Sequence, residues 1–141
     1  QTAELWGTIR TFDADVRKTV IERFNQIVKG IAEAMNCQVE ITVKEVTLPV
    51  TNDAEVTASV FNSAKRIFPD LEIATNPYLT MGAEDMGYMQ DKAKGCYFMI
   101  GSANDEKNLN HNHHHPKFDF DEKALINGVA LMSAAAADLL K

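Results

Sequence analysis

A chain of 141 residues with 45% hydrophobic content can bury one core or share it between two small lobes, which excludes an intrinsically disordered protein. Its 20 acidic residues outnumber 14 basic ones for a net charge of -6, and Lys and Arg are scattered, so no basic face is offered to nucleic acid or to an anionic membrane surface. No apolar run reaches membrane-span length, the opening QTAELWGTIR has no leader-like basic and apolar regions, and Cys37 and Cys96 form neither a disulfide framework nor a CxxC site, so a cytoplasmic protein is the expectation.

The opening AELWGTIRTF is rich in β-branched and aromatic residues, with Leu5, Ile9 and, less regularly, Trp6 available for burial; this predicts a strand near residues 3–12. Asp13 then stands where a helix N-cap would, and Val16, Val20, Phe24, Ile27, Ile31 and Met35 recur every three or four residues, the pattern of a long amphipathic helix. CQVEITVKEV alternates Val39, Ile41 and Val43 with Glu40, Thr42 and Lys44, a strand with one wet face. TLPVTND follows, and its proline, Asn52 and Asp53 suit a crossing linker and a helix start. A boundary is therefore expected near 47–53, with residues 1–47 in one domain and 48–141 in another.

Beyond it the pattern predicts a helix near 53–67, an extended piece at LEIAT, a turn at Asn76 and Pro77, and a helix starting near Ala83. GCYFMIG is a short apolar run between glycines, which reads as a strand buried on both faces. From about Asp121 a last helix places Leu125, Val129, Met132, Ala136 and Leu139 at helical spacing, with Asp121 and Glu122 complementing its positive end. The second lobe is thus α/β. A strand-helix-strand lobe has too little surface to cover one helix and both faces of two strands, and the chain begins without Met, so a piece of a larger protein is expected.

Three groups of residues could carry chemistry. HNHHHPKFDFDE holds all four histidines of the chain in a loop between a buried strand and a helix, where α/β folds commonly display ligands. Imidazole binds divalent transition metals at neutral pH, although such a run also occurs as a solvated loop without a specific role. The loop by itself is an incomplete site, because Asp119, Asp121 and Glu122 are better placed to cap the helix. In MGAEDMGYM, Gly82 permits close backbone approach while Glu84 and Asp85 stand at a helix start, where capping is the plain alternative, and Met81, Met86 and Met89 are expected to fill core gaps. Arg10 lies in an otherwise apolar strand, where a guanidinium either pairs with an acid or grips a carboxylate; the residue alone leaves both open. There is no Gly-rich phosphate loop and no esterase-type Ser/His/Asp order.

In order and at fitting spacing, ELWGTIRTF, GAEDMGYM, GCYFMIG and HHPKFDFDEKAL resemble the C-terminal half of the hippurate hydrolase and N-acyl-amino-acid amidohydrolase family, the aminoacylase and carboxypeptidase G type of metallopeptidase. The resemblance implies an α/β catalytic domain holding two divalent metal ions, zinc or manganese, and an inserted α+β lid through which many members form homodimers. Residues 1–47 would be the second half of the lid and 48–141 the C-terminal part of the catalytic domain. The implied reaction is hydrolysis of the amide bond of a small N-acyl or N-aroyl amino acid. The general-base glutamate and most metal ligands would lie upstream of Gln1, which leaves no catalytic residue here and an inactive chain when alone.

Laid on the family's motif, the metal ligand falls on His114, followed by His115 and Pro116, while His113 occupies a slot that is usually hydrophobic. Arg10 falls on a lid-strand arginine that helps bind the substrate carboxylate. Gly82, Ala83 and Glu84 fall on a substrate-facing loop, where Met86 replaces the more usual phenylalanine. The rival readings are a catalytically silent dimerisation or metal-binding module and a small histidine-rich metal carrier. The carrier leaves the long apolar helix and the GAED string unexplained.

Overall fold

Side-chain caps decide where the first two helices begin. In the computed structural model, which describes residues 2–70, 72–74 and 78–141, the Asp13 carboxylate accepts the Val16 N–H at 2.8 Å and opens helix α1 (Ala14–Ala34). Asn36 takes a left-handed φ of 52° after its end, a conformation that asparagine tolerates better than most residues. Asp53 repeats the device, accepting from Glu55 and Val56 N–H groups at 3.0 Å each at the head of α2 (Ala54–Ile67). The Val56 N–H contributes most to holding this carboxyl below the usual range, and the Lys94 ammonium, 3.5 Å away, acts in the same direction.

The short α3 (Met86–Gln90) starts three residues later than the sequence suggests. Glu84 folds back so that its Oε1 accepts from Asp85 N at 2.8 Å and Met86 N at 3.4 Å, which uses residues 84–85 as the cap rather than as the first turn. The last helix, α4 (Lys123–Leu139), has no side-chain cap from Glu122; Asp121 Oδ1 accepts the Lys123 N–H instead, at 3.2 Å.

The chain divides into two compact units, Gln1–Val50 with Pro77–Tyr88, and Thr51–Asn76 with Met89–Lys141. In the first, Tyr88 donates its hydroxyl to Val46 O at 3.1 Å, Arg17 meets Glu45 at 3.5 Å, and the buried Gly87 passes so close to Leu48 that a Cβ would lie 2.3 Å from the Leu48 carbonyl oxygen. In the second, α2 packs on α4 around Val60, Ala64, Leu131 and Ala135, with Val56, Ile67, Phe68, Ile73, Cys96 and Phe98 against that core. Ser63, 1% exposed, donates to Asp138 at 2.7 Å, and Arg66 pairs with the same carboxylate, so the one buried hydroxyl of α2 is satisfied.

Several expectations are corrected. Among the described residues there is no β-strand; segments 3–12, 37–46 and 95–101 carry no ladder, and the only bridge joins Asn104 to Leu109. A strand exists through its partner, and these backbones find none; the sheet that an α/β class requires is therefore not formed by the described residues. Between Thr51–Asp53 and Gly95–Tyr97 the substitute is partly a side chain. Asp53 N donates to Gly95 O at 2.9 Å, and the Asn52 amide both accepts from Tyr97 N and donates to Tyr97 O at 2.8 Å, as a neighbouring peptide group would.

GCYFMIG is half-buried rather than buried on both faces, with Cys96 and Phe98 against the α2–α4 core and Met99 exposed. Leu5 and Trp6 are 97% and 88% exposed, no residue of α1 is buried, and Met81 and Met89 are exposed rather than core fillers. Of the piece expected at LEIAT, Leu71 and Thr75 lie outside the described residues, as does the turn at Asn76 and Pro77. On α4 the large residues Leu125, Val129, Met132 and Leu139 are exposed, and the buried stripe runs through Leu131 and Ala135. Small side chains let the helix axes approach closely, which places alanine rather than leucine at much of the contact.

Candidate functional site

The histidine loop hangs from a clamped base. Asn104 and Leu109 exchange backbone hydrogen bonds at 2.9 and 2.8 Å around a turn in which Asn108 has a φ of 58°. Asp121, 8% exposed, donates its N–H to Ser102 O at 2.9 Å, and its carboxylate accepts from the Asn104 amide and from Lys107 Nζ at 3.1 Å. Those donors, the Asn104 amide first, then the Lys123 N–H and Lys107, hold the Asp121 carboxyl at about 2. The sequence alone does not point to Asn104 and Lys107: both stand in the polar string NDEKN, which reads only as loop, and nothing local marks them as partners of a residue beyond the histidines.

Within the loop two turns meet at one residue. His115 N donates to Asn112 O at 3.1 Å and Phe118 N donates to His115 O at 2.9 Å, so turns 112–115 and 115–118 share His115. In the first turn His114 holds a φ of 67° at the third position, the φ pattern of a type II turn that favours glycine there. A non-glycine residue in that region costs about 1–2 kcal/mol. In the second turn Pro116 takes the position its ring suits best.

Three of the four imidazoles are engaged inside the loop. His111 and His115 stack with ring centroids 4.3 Å apart and planes 11° from parallel, and His113 meets Phe118 edge-on at 4.9 Å. His115 Nδ1 also accepts the Lys117 N–H at 3.1 Å. His114 is exposed and has no hydrogen-bonding or ring partner among the described residues.

Nitrogen lone pairs lie in the ring plane, so the parallel rings of His111 and His115 do not converge on one ion. Among the described residues no three His, Cys, Asp or Glu side chains are grouped to hold a metal. Protein metal sites of the zinc type take three or four such ligands. The loop therefore fits a contribution of one imidazole to a site completed by other donors, and among the described residues His114 is the one ring with neither a ring contact nor a hydrogen bond to hold it inside the loop.

The other candidates lie in the first unit. Arg10 Nη1 donates to the Met81 carbonyl at 2.7 Å, which joins Arg10 to the segment carrying Gly82, Ala83 and Glu84. Gly82 N donates to Thr80 Oγ1 at 3.2 Å, and the Glu84 carboxylate is turned inward as the cap of α3. Of the alternatives open for Glu84, the structure shows the capping one. Among the described residues Arg10 has no acidic partner; it holds a backbone oxygen with one N–H of its fork and is exposed.

Among curated proteins the chain is similar to YhaA of Bacillus subtilis (strain 168), provisionally named an amidohydrolase, at 31% identity over 95% of this chain and 34% of YhaA. Thermostable carboxypeptidase 2 of Saccharolobus solfataricus is 36% identical over 87% of this chain and 30% of its own. N-acetyldiaminopimelate deacetylase of Bacillus subtilis (strain 168) is 32% identical over 94% of this chain and 34% of its own. The chain thus spans about a third of the length of these curated relatives. No solved structure gives a significant match. The model of peptidase family M20/M25/M40 matches residues 5–138, nearly the whole sequence, and the chain belongs to that family.

Proposed function

We propose that the intact protein is a metal-dependent amidohydrolase that cleaves the amide bond of a small N-acyl or N-aroyl amino acid such as a hippurate-like compound, and that these 141 residues supply part of its site. The observation that carries the reading is family membership combined with His114, the imidazole that makes no ring contact or hydrogen bond among the described residues while the other three rings make contacts within the loop. Relatives named for deacetylation of an N-acetyl amino acid and for carboxypeptidase action support amide cleavage beside a free carboxylate.

In this mechanism His114 donates one ring nitrogen to a metal, and Arg10 receives the substrate carboxylate through the N–H groups that Met81 O leaves free. Gly82, Ala83 and Glu84 line the approach, Gly82 because its missing side chain leaves room for substrate against the backbone. A pair of divalent ions, zinc or manganese, when bound supplies an acidic water and polarises the scissile carbonyl. The general base and remaining ligands are assigned to the two-thirds of the relatives' length that this chain does not span, so the 141 residues alone are expected to be inactive.

The same reading places residues 1–47 in a lid and 48–141 in an α/β catalytic domain, and makes the protein a cytoplasmic homodimer. The apolar stripe of α1, none of it buried, supports assembly with a second copy. Among the described residues no helix is long and apolar enough to cross a membrane.

The deciding experiment is metal content and turnover of His114→Ala beside His111→Ala in the intact protein. The first should lose bound metal and activity, and the second should stay within a few-fold of wild type. Both variants keeping metal and activity would remove His114 from the metal site, whereas an intact wild-type protein without turnover would leave the rival reading, a catalytically silent dimerisation or metal-binding module, as the better one.

A further inference from the structure

His115 is engaged at every polar atom of its backbone and at one ring nitrogen. Its N–H closes the turn 112–115, its carbonyl opens the turn 115–118, and its Nδ1 accepts the Lys117 N–H at 3.1 Å. Pro116 has no N–H, so Lys117 carries the first backbone donor after His115, and the imidazole reaches across the proline to satisfy it. This is the geometry of an Asx turn with a ring nitrogen in place of the carboxamide oxygen. The ring is held in place from its face by His111, at 4.3 Å and 11° from parallel. A nitrogen that accepts carries no proton, so the neutral His115 ring bears its hydrogen on Nε2.

We propose that His115 is a positioning residue for His114: its backbone N–H closes the turn that holds His114, its Nδ1 pins the turn that follows through the Lys117 N–H, and together they fix the left-handed backbone of His114 and keep that imidazole turned out of the loop. The inference rests on the reading of His114 as a metal ligand. It also separates the histidines by task. His115 cannot ligate through Nδ1 without releasing Lys117 N–H, and cannot ligate through Nε2 without shifting its proton to the nitrogen that accepts. His111 supports the ring of His115 by stacking and is expected to matter less, since the hydrogen bond survives its removal.

The test uses the intact protein with zinc as the probe. His115→Ala removes the acceptor and the stack, His115→Asn keeps a short acceptor that closes the same turn, and His114→Ala marks the loss of the ligand itself. Zinc affinity, measured by competition with a chelating dye, should fall about 10–100-fold in His115→Ala, as for other residues that orient a metal ligand, and return to within a few-fold of wild type in His115→Asn. In metal-free wild type, nitrogen-resolved NMR of the imidazoles should show His115 as the Nε2–H tautomer, a signature a merely space-filling ring would not need.

Unchanged affinity in His115→Ala with loss in His114→Ala overturns the positioning role while leaving the ligand reading intact. Failure of His115→Asn to restore affinity, with circular dichroism unchanged, or an Nδ1–H tautomer overturns it as well. If His114→Ala also keeps its zinc, the ligand reading falls and the inference with it.

Discussion

Adding one carbon at Gly87 tests whether the first unit holds its loop by backbone contact. A Cβ there would sit 2.3 Å from the Leu48 carbonyl oxygen, 2.9 Å from its carbon and 3.2 Å from Leu48 Cβ. Carbon–oxygen contacts settle at about 3.3 Å or more, so the segments must part by roughly 1 Å. The obstacle is main chain and cannot rotate aside. Overpacking of this kind costs about 1–3 kcal/mol, and the higher helix propensity of alanine in α3 offsets up to about 1 kcal/mol of it. Gly87→Ala should therefore destabilise by up to about 2 kcal/mol once the full offset is taken, lowering the urea midpoint by up to about 1 M at an unchanged slope of about 2 kcal/mol/M. Because α3 starts a few residues after the Met81 carbonyl that Arg10 holds, the proposed function adds the expectation that in the intact protein the displacement raises KM for an N-acyl amino acid more than it lowers kcat. An unchanged or raised midpoint would refute the reasoning, since it would mean that Leu48 yields without cost.

Leu131→Ala opens the α2–α4 core at its largest buried side chain on α4 and should cost about 2–5 kcal/mol by chemical denaturation, with a loss below that range showing that the helices close over the gap. Asp121 is held at about 2 against an ordinary 3.8, so between those values the unfolded state binds more protons than the folded one. Its stabilisation is full above pH 3.8 and is lost as pH falls toward 2; urea midpoints compared at roughly pH 5 and pH 3 should drop less in Asp121→Asn than in wild type, and equal drops would place the acid sensitivity elsewhere. On the proposed function, Arg10→Ala in the intact protein should impair hydrolysis of substrates with a free carboxylate far more than of their carboxamide analogues, and equal loss on both would leave Arg10 only its structural bond to Met81 O.

Helices were legible because their signals are local. Asp13 and Asp53 announce their own caps, and a period of three to four residues survives whatever the helix packs against. Which face is buried was less legible. On α4 the sequence favours Leu125, Val129 and Met132 by size, yet a helix packs by the shape it offers to a particular neighbour, and Val60, Ser63 and Ala64 of α2 leave room for a close approach along Leu131 and Ala135. The strand patterns failed for a related reason. Alternation in CQVEITVKEV describes a backbone suited to pairing, but pairing is a property of two segments, and only one is given by the pattern.

The histidine loop shows the same division at the scale of single atoms. Four imidazoles in five residues are visible in the sequence, and so is the proline that ends the run, but residue type cannot say which ring accepts, which stacks and which is free. Backbone hydrogen bonding sets those tasks. Because Pro116 donates nothing, the donor at Lys117 needs an acceptor, and the side chain two residues before it is within reach. Once His115 fills that role the chain turns through it twice, and His114 is left at the position where a left-handed φ is required. Glycine would meet that backbone requirement without strain, so replacing His114 with glycine should keep the turn while removing the ring, which makes His114→Gly a test of the ring separate from the backbone.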